Sequence, residues 1–459
     1  MSSIPLPILR KNKIHFTSLG CARNLVDSEV MLGLTLRAGY EVTDQKNGAD
    51  VLVINTCGFL EASRQEALDT IAEVFAEKQI GAKVVVTGCM VQKHKDLLKE
   101  RFPHIHAFVG TGDVEKIVDA IEGEAANEQM GSAKSYLEWG EVPRMLSTPQ
   151  HYAYLKIAEG CLKACSFCAI PKLKGPLRSK PQEQVLKEFQ WMIDRGVKEI
   201  ILIAQDLGDY GKERKQKNAL ETLLAEMLKV PGDYWIRLLY VYPDEISEEL
   251  IALMKKEQRL CRYLDMPIQH VSDPLLKAMR RKTNKEHLVT TIRRLRAELP
   301  DIVLRTSLMV GFPGETEAQF EELCTFVETE GFDYLGIFSY SRERLSSSYN
   351  YVDQVDEETK QRRHETLALV QQKSMVKRFS RFIGQKVKAI VESPHPDSPH
   401  LARARFYGQC PDIDGEMIIN DVRKISRYGA FYEVKISDMV GYDLVGQIQK
   451  PLFIPTSSP

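Results

Sequence analysis

The stretch EGCLKACSFCAIP, residues 159–171, places Cys161, Cys165 and Cys168 within eight residues of one another. Four ligands close a tetrahedral zinc site and two make a dithiol, so three thiols with no fourth beside them point to a metal centre left with an open position. A four-iron, four-sulfur cluster held by three thiolates is such a centre, because one iron stays free to take a substrate or cofactor. The alternatives are a zinc knuckle completed by His151 and a set of structural cysteines.

A second triplet emerges once the elements around it are read. From Lys13 to about Gly123, strand-like runs (KIHFTSL, DVLVINT, KVVVTG) alternate with helical patterns (VDSEVMLGLTLRAG, EASRQEALDTIAEVFAEK, VQKHKDLLKERF), the signature of an α/β domain with a parallel sheet. Each strand runs into a cysteine: Cys21, Cys57 and Cys89. Ligands of open parallel sheets bind beyond the carboxyl ends of strands, so three cysteines at equivalent ends converge on one edge. One such cysteine alone would read as a small buried hydrophobe. Three together, with Gly20, Gly58 and Gly88 beside them to let backbone approach a bulky ligand, predict a second metal or cluster site.

The first triplet needs its own support. Its strand candidates are YAYLKIAE, EIILIAQD, WIRLLYVY, YLDMPIQ, IVLRTSLMVG and YLGIFSYS, interleaved with helical patterns. Six such strands predict a partial (β/α)6 barrel, with chemistry at the strand C-terminal ends. The triplet directly follows the first strand. Between the two α/β regions, residues 124–150 lose all periodicity and read as a linker. A charged helix, DEETKQRRHETLALVQQKSMVKRF, leads out of the barrel, and beyond Ile383 short alternating strands predict a small OB-like β-barrel. The fold class is therefore α/β with a small C-terminal β-barrel, divided at 13–123, 124–150, 151–380 and 382–453.

Bulk properties narrow the setting. A chain of 459 residues exceeds one ordinary core, and 43% apolar with 27% charged residues is a soluble, globular composition. The net charge of -1 supplies no overall basic field, so a nucleic-acid partner would need a local patch. MSSIPLPILRKNK has prolines in its only apolar run and does not read as a signal peptide. The other apolar runs fall far short of the roughly 18 residues of a membrane span. Nine cysteines, odd in number and unevenly grouped, suit metal ligation in a reducing compartment, so a cytoplasmic protein without membrane contact is expected. Cys261, Cys324 and Cys410 read as packing residues. His270, in PIQHVSD, is either a site residue or a hydrogen-bonded structural one.

C-x3-C-x2-C with Phe167 before the last thiol resembles the radical S-adenosylmethionine enzymes. GCARNLVDSE, INTCGF, VTGCM, GCLKACSFCAIP, LRSKP, AQD, YPDEI, MPIQHVSDPLLKAMRR and MVGFPGET together resemble the methylthiotransferases of that superfamily along nearly the whole chain. LGCARNLVDSE, AQDLGDYG and YLDMPIQHVSDPLLKAMRR look closer to their ribosomal-protein branch than to the transfer-RNA branch.

The resemblance implies a cluster domain, a radical domain and a C-terminal TRAM module. It implies two 4Fe-4S clusters, one on Cys161, Cys165 and Cys168 and an auxiliary one on Cys21, Cys57 and Cys89, with S-adenosyl-L-methionine as methyl donor and radical source. Phe167, Ala169, Gln205, Gly311 and Gly314 would line the cofactor pocket, although GFPGE also reads as an ordinary strand-to-helix turn. The implied partners are a ribosomal protein substrate, free or on the small subunit, contact with ribosomal RNA, and a reductant of flavodoxin or ferredoxin type. A monomer is expected. The alternatives are the transfer-RNA adenosine branch and a non-catalytic iron–sulfur or zinc protein that binds RNA.

Two segments depart from the family. Where Y-S-x-E-x-G-T-x-A-Y is usual, YSRERLSSSY puts Leu345 and Ser346 for Gly and Thr, and leucine does not readily take a positive φ. Lys174 stands where Arg is commoner, keeping charge but losing the planar fork. From Phe382 onward, nine basic residues balance nine acidic ones. Such a module, with PDIDGE on one loop, is better suited to a basic protein than to gripping RNA, and the resemblance to the ribosomal-protein branch then implies a β-carbon methylthiolation of an aspartate in small-subunit ribosomal protein twelve as the expected reaction.

Overall fold

The computed structural model describes residues 12–131, 135–138 and 143–453, which cluster into two compact units. The prolines of the N-terminal run lie outside the described residues, as does part of the stretch read as a linker.

The first unit is built on a six-stranded parallel sheet of β1 (Lys13–Ser18), β2 (Glu41–Val42), β3 (Val51–Thr56), β4 (Lys83–Gly88), β5 (Ala107–Val109) and β6 (Asn127–Gln129), in the order β2-β1-β3-β4-β5-β6. Helices α1 (Ala22–Arg37), α2 (Glu61–Glu77), α3 (Cys89–Arg101) and α4 (Ile117–Glu122) connect these strands. A parallel strand covered on both faces reads as a largely apolar run, and every residue of β3 is buried. Val51 and Val53 pack with Val30 and Met31 of α1, whereas Leu52 and Ile54 pack with Leu68 and Ile71 of α2.

The 124–150 stretch contributes β6 as an edge strand and then clamps α1. Tyr136 donates from its hydroxyl to Asp27 Oδ1 at 2.9 Å, Arg144 Nε reaches Glu29 Oε2 at 2.9 Å, and Ser147 Oγ reaches Glu29 Oε1 at 2.8 Å. Its polar sequence hides this role, because what it brings to the core is mostly hydrogen bonds to two buried carboxylates.

The chain continues through β7 (Tyr152–Lys156), β8 (Ala158–Glu159), α5 (Ile170–Lys174), β9 (Arg178–Ser179) and α6 (Gln182–Asp194). The barrel sheet follows with β10 (Glu199–Ile203), α7 (Ala219–Met227), β11 (Trp235–Leu238), α8 (Glu248–Lys256), β12 (Leu260–Asp265), α9 (Asp273–Ala278), α10 (Lys285–Glu298), β13 (Val303–Val310), α11 (Glu317–Glu330) and β14 (Tyr334–Ser339). Six parallel strands in the order β14-β13-β12-β11-β10-β7 form the expected partial barrel. The charged stretch becomes α12 (Glu357–Phe379), capped by Asp356. Strands β15 (Lys386–His395), β16 (Ser398–Phe406), β17 (Met417–Ile419), β18 (Ala430–Val440) and β19 (Asp443–Pro451) close a small barrel.

Both barrels belong to the second unit, and a buried network of charges joins them. Glu199 of β10 pairs with Arg237 of β11 at 2.5 Å and with Arg405 of β16 at 2.7 Å, and all three side chains are almost wholly out of water. Arg405 also meets Glu392 at 2.7 Å, and Glu392 meets His151 at 2.9 Å. Arg237 Nη1 donates to the Tyr407 carbonyl at 2.7 Å. Asp414 accepts from Tyr263 at 2.8 Å and lies 3.3 Å from Arg305, itself 2.8 Å from Asp265.

Two of the three carboxylates of the acidic PDIDGE loop are engaged on the larger barrel. Asp412 accepts from Tyr152 at 2.8 Å, Asp414 is spent on the barrel, and Glu416 pairs with Arg403. Its charge therefore says little about a basic partner.

Removing one member of such a network leaves an uncompensated buried charge. Arg405→Met should destabilise the second unit by about 3–5 kcal/mol, read from urea unfolding followed by circular dichroism. For Glu392, burial alone would raise the carboxyl pKa, but Arg405 and His151 outweigh it and hold the group down to about 2, against 4.5 unperturbed. Its contribution should be complete above about pH 4.5 and be lost as pH falls toward 2. A pH–stability profile of the wild type flat below pH 4.5 would contradict this.

Candidate functional site

In the first unit, β1, β3 and β4 run side by side in register, Thr17 opposite Ile54 and Ile54 opposite Val86, so their carboxyl ends align. Cys21 is the N-cap of α1, Cys57 follows β3, and Cys89 opens α3 directly after β4. The three predicted loops do meet. A Cβ on Gly20 would lie 2.9 Å from Cys57 Cβ, and one on Gly58 would lie 2.8 Å from the Met90 amide nitrogen, so side chains at either position would force the loops apart.

A buried amide network fixes this edge. Asn24 donates to the carbonyls of Leu19 and Thr56, each at 3.2 Å, and its Oδ1 lies 4.0 Å from Cys89 Sγ. Asn55 donates to the Asn24 carbonyl at 2.8 Å and to Ser28 Oγ at 3.0 Å. Asn24 and Ser28 belong to LGCARNLVDSE, whose polar residues had no role by sequence alone.

The three thiols are not equivalent. Burial pushes Cys89 up to about 11, with Cys57 and Cys21 adding to the effect and Lys174 opposing it. Burial works the same way on Cys21, but Arg23, the backbone N–H of Asn24 and Lys174 outweigh it and bring its thiol below the ordinary value. Lys174 is buried, 2.7 Å from Glu159 and 3.5 Å from Asp27. One ammonium nitrogen thus meets two carboxylates.

The other predicted residues divide between the units. Cys161 and Ala169 group with the first, and Phe167, Cys165 and Cys168 with the second. Ala169 is buried at the N-cap of α5. In the second unit, Cys165 Sγ lies 3.7 Å from the Tyr242 hydroxyl and 3.9 Å from Arg281 Nη1. Two cations approach the Tyr242 ring, Arg281 at 4.0 Å and Lys163 at 5.2 Å from its centroid. Lys163 anchors its loop to carboxylates beyond β10 and β11: Glu245 at 2.6 Å, Asp209 at 3.1 Å and Asp206 at 3.4 Å. Burial and Asp209 push Asp206 up to about 6 against the pull of Lys163. These three carboxylates could gather a metal ion, but Lys163 and Lys212 already supply their countercharge.

The atypical YSRERLSSSY segment buttresses the same loop. Ser348 N and Ser347 Oγ donate to the Ser166 carbonyl at 2.8 and 3.2 Å, while Ser166 itself donates to Met279 and Ala278 carbonyls. Leu345 is absent from the left-handed residues, so the loop takes a form that needs no glycine there. Its serines support Ser166.

Phe167 packs with Phe312, Tyr340, Leu275 and Met279, so the Gly311 turn and the aromatic of the cysteine motif share one apolar cluster. Gly311, at φ +72, gives its amide to Glu315, which also takes His270 Nε2 at 3.1 Å and Arg363 at 2.8 Å. Gly314, at φ +83, donates to the Asp353 carbonyl at 2.7 Å. His270 is thus a fully hydrogen-bonded structural residue, with Nδ1 accepting from Ser272 N at 3.0 Å. His151 is likewise held through Nε2 by Glu392 of the C-terminal barrel, at 2.9 Å.

Gln205, just beyond β10, is different. Both its amide nitrogen and its amide oxygen are buried with no hydrogen-bond partner among the described residues. An unmade pair of this kind costs roughly 1–3 kcal/mol per group. The site fits a polar cofactor that takes both a donor and an acceptor. Cys261 and Cys410 are buried packing residues as expected, and Cys324 is half-buried on α11.

Comparison with known proteins follows the same division. Residues 13–110 match the uncharacterized protein family UPF0004, residues 155–327 the radical SAM superfamily, and residues 383–448 the TRAM domain. Over 439 residues the chain is 55% identical to the ribosomal protein uS12 methylthiotransferase RimO of Protochlamydia amoebophila, covering 95% of this chain and 92% of that one. The RimO proteins of Chlamydia abortus and Bdellovibrio bacteriovorus are 53% and 41% identical, covering 95% and 96% of this chain and 95% and 98% of theirs. Among solved structures, the radical S-adenosylmethionine methyltransferase TsrM from Kitasatospora setae, with cobalamin and a 4Fe-4S cluster bound, shares the fold at a TM-score of 0.54 and 16% identity, over 74% of this chain and 77% of that one.

Since Arg23 leads the groups that favour the Cys21 thiolate, Arg23→Ala should move the pH midpoint of Cys21 alkylation upward in metal-free protein, with Cys89 slow in both forms. Iodoacetamide labelling mapped by mass spectrometry checks both sites.

Proposed function

The chain belongs to the family of ribosomal protein uS12 methylthiotransferases called RimO, and on that premise we propose that it adds a methylthio group to the β-carbon of an aspartate in uS12. The observation that carries the chemistry is the three-cysteine loop of Cys161, Cys165 and Cys168 together with the partnerless buried amide of Gln205. The relatives' name carries the substrate; the neutral charge of the C-terminal module no longer does.

In this reading Cys161, Cys165 and Cys168 hold a radical-generating 4Fe-4S cluster, and Cys21, Cys57 and Cys89 hold a second cluster. Phe167, Ala169, Gln205, Gly311 and Gly314 line the S-adenosylmethionine pocket. When bound, these groups supply the 5'-deoxyadenosyl radical, the methyl group and the sulfur. The protein's own residues position and shield. Gln205 presents a donor and an acceptor, Phe167 and Phe312 keep water from the cofactor, and Arg281 and Tyr242 set a polar surround for Cys165.

The working divisions are residues 13–123 for the auxiliary cluster, 151–380 for the radical chemistry and 382–453 for the TRAM module, with 124–150 between the first two. The enzyme acts in the cytoplasm as a monomer, on uS12 free or in the small subunit where ribosomal RNA is at hand, with a flavodoxin- or ferredoxin-type reductant. No helix among the described residues is long and apolar enough to cross a membrane.

Replacing Cys161, Cys165 and Cys168 by Ala should leave about half the iron, as expected for two clusters of equal size, and abolish 5'-deoxyadenosine formation. The triple replacement at Cys21, Cys57 and Cys89 should keep 5'-deoxyadenosine formation and stop methylthiolation of uS12, read by mass spectrometry. Delivery of sulfur by that second variant would refute the auxiliary site. Unmodified uS12 alongside methylthiolated transfer-RNA adenosine would move the chain to the other branch.

A further inference from the structure

Resting on the functional reading above, we propose that Arg281 is the fixed countercharge of the radical-generating cluster, acting with the Tyr242 hydroxyl through Cys165 to make that cluster easier to reduce. Arg281 is a positioning residue rather than a catalytic one, because it meets a cluster ligand and not the reacting atoms.

The backbone is shaped to deliver this side chain. Helix α9 ends at Ala278, and the chain turns back through Arg280, whose φ of 56 is left-handed. Arg280 N donates to the Lys277 carbonyl at 3.0 Å and Arg281 N to the Leu276 carbonyl at 2.8 Å, the paired closure of a helix end whose left-handed place is usually taken by glycine. An arginine there is costly and persists where the surroundings fix it. They do so through Ser166, which donates from its amide to the Met279 carbonyl at 3.0 Å and from its hydroxyl to the Ala278 carbonyl at 2.8 Å. The turn that carries Arg281 is thereby fastened to the residue beside Cys165.

Charge gives the arrangement its meaning. Arg281 is 7% exposed, and its Nη2 donates to the Pro267 carbonyl at 2.5 Å. Nη1 lies 3.9 Å from Cys165 Sγ, and the guanidinium lies 4.0 Å from the Tyr242 ring centroid. Among the described residues no carboxylate pairs with it, whereas Lys163, which approaches the same ring, is held by Asp206, Asp209 and Glu245. A buried cation needs an anion. A 4Fe-4S core held by three thiolates is a net anion, and a one-electron reduction deepens its negative charge.

The step itself is simple to balance. One electron passes from an outside reductant such as dithionite, which is oxidised, to the cluster; no bond forms or breaks in the protein and no proton moves. With Cys165 a thiolate, the Tyr242 hydroxyl 3.7 Å away is the donor of that contact. A cation and a hydroxyl beside one ligand sulfur stabilise the reduced form over the oxidised form, most strongly in a site out of water.

The test is an anaerobic redox titration of the reconstituted full-length protein followed by electron paramagnetic resonance, reading the reduced-cluster signal that changes when S-adenosylmethionine is added. Iron and sulfide are measured on every sample. Arg281→Met should keep its iron and lower the reduced-to-oxidised ratio at a fixed potential by about tenfold, a midpoint about 59 mV more negative. Tyr242→Phe, which keeps the ring and loses the hydroxyl, should lower the ratio by about threefold. Arg281→Lys, which keeps the charge, should stay within about threefold of wild type. An unchanged ratio in iron-replete Arg281→Met would overturn the proposal, and so would an equal loss in Arg281→Lys, which would make shape rather than charge the cause. If Arg281→Met does not hold its cluster, Tyr242→Phe decides: a lowered ratio supports the proposal and an unchanged one overturns it. A wild type with no cluster signal responsive to S-adenosylmethionine would defeat the functional reading instead, so the two failures are distinct.

Discussion

A charge taken out of water must meet its opposite, and the second unit is organised around that requirement. Glu199 and Arg237 come from the barrel strands and Arg405 from the C-terminal barrel, and none of them is tolerable in its position without the others. Apolar contact supports the same junction, with Trp235 edge-on to Phe431 at 4.7 Å. Area alone would let two barrels slide. Paired charges with fixed donors and acceptors allow one register.

The two cysteine constellations are held by different physics. At the first sheet's edge, neutral amides and glycine contacts draw three loops together: Asn24 and Asn55 satisfy carbonyls that would otherwise be stranded, and Gly20 permits the approach to Cys57. Around Cys165, ions do the work, with Lys163 tied to three carboxylates and Arg281 stacked on Tyr242. Serines of an unusual segment fasten Ser166 between them.

Much of this was legible in the sequence, and the reasons it was are physical. Apolar runs of strand length and helical periodicity located β3, β4 and all six barrel strands, since burial on both faces writes itself as continuous hydrophobicity. Thiols are chemically conspicuous, so their placement at strand ends was visible too. What stayed hidden was polar and long-range. Arg144 and Glu29 are 115 residues apart and Tyr152 and Asp412 are 260 apart, and no local pattern marks such pairs. In the PDIDGE loop, Asp412 and Asp414 find their partners on strands far away in sequence. Gln205 was placed by resemblance, and its partnerless amide by structure alone.

The junction between the barrels bears on how such proteins can be recombined in evolution or in the laboratory. A C-terminal module that ends a chain and closes on itself looks like a cassette. Here the cassette carries one member of a three-part ionic lock, Arg405 against Glu199 and Arg237, and Asp414 adds a second tie to Arg305 and Tyr263. Grafting a foreign module would strand Glu199 opposite whatever residue arrived, so inheritance of the module and of a few barrel positions is coupled. Chimaeras would have to be cut around the lock rather than at the apparent boundary near Phe382.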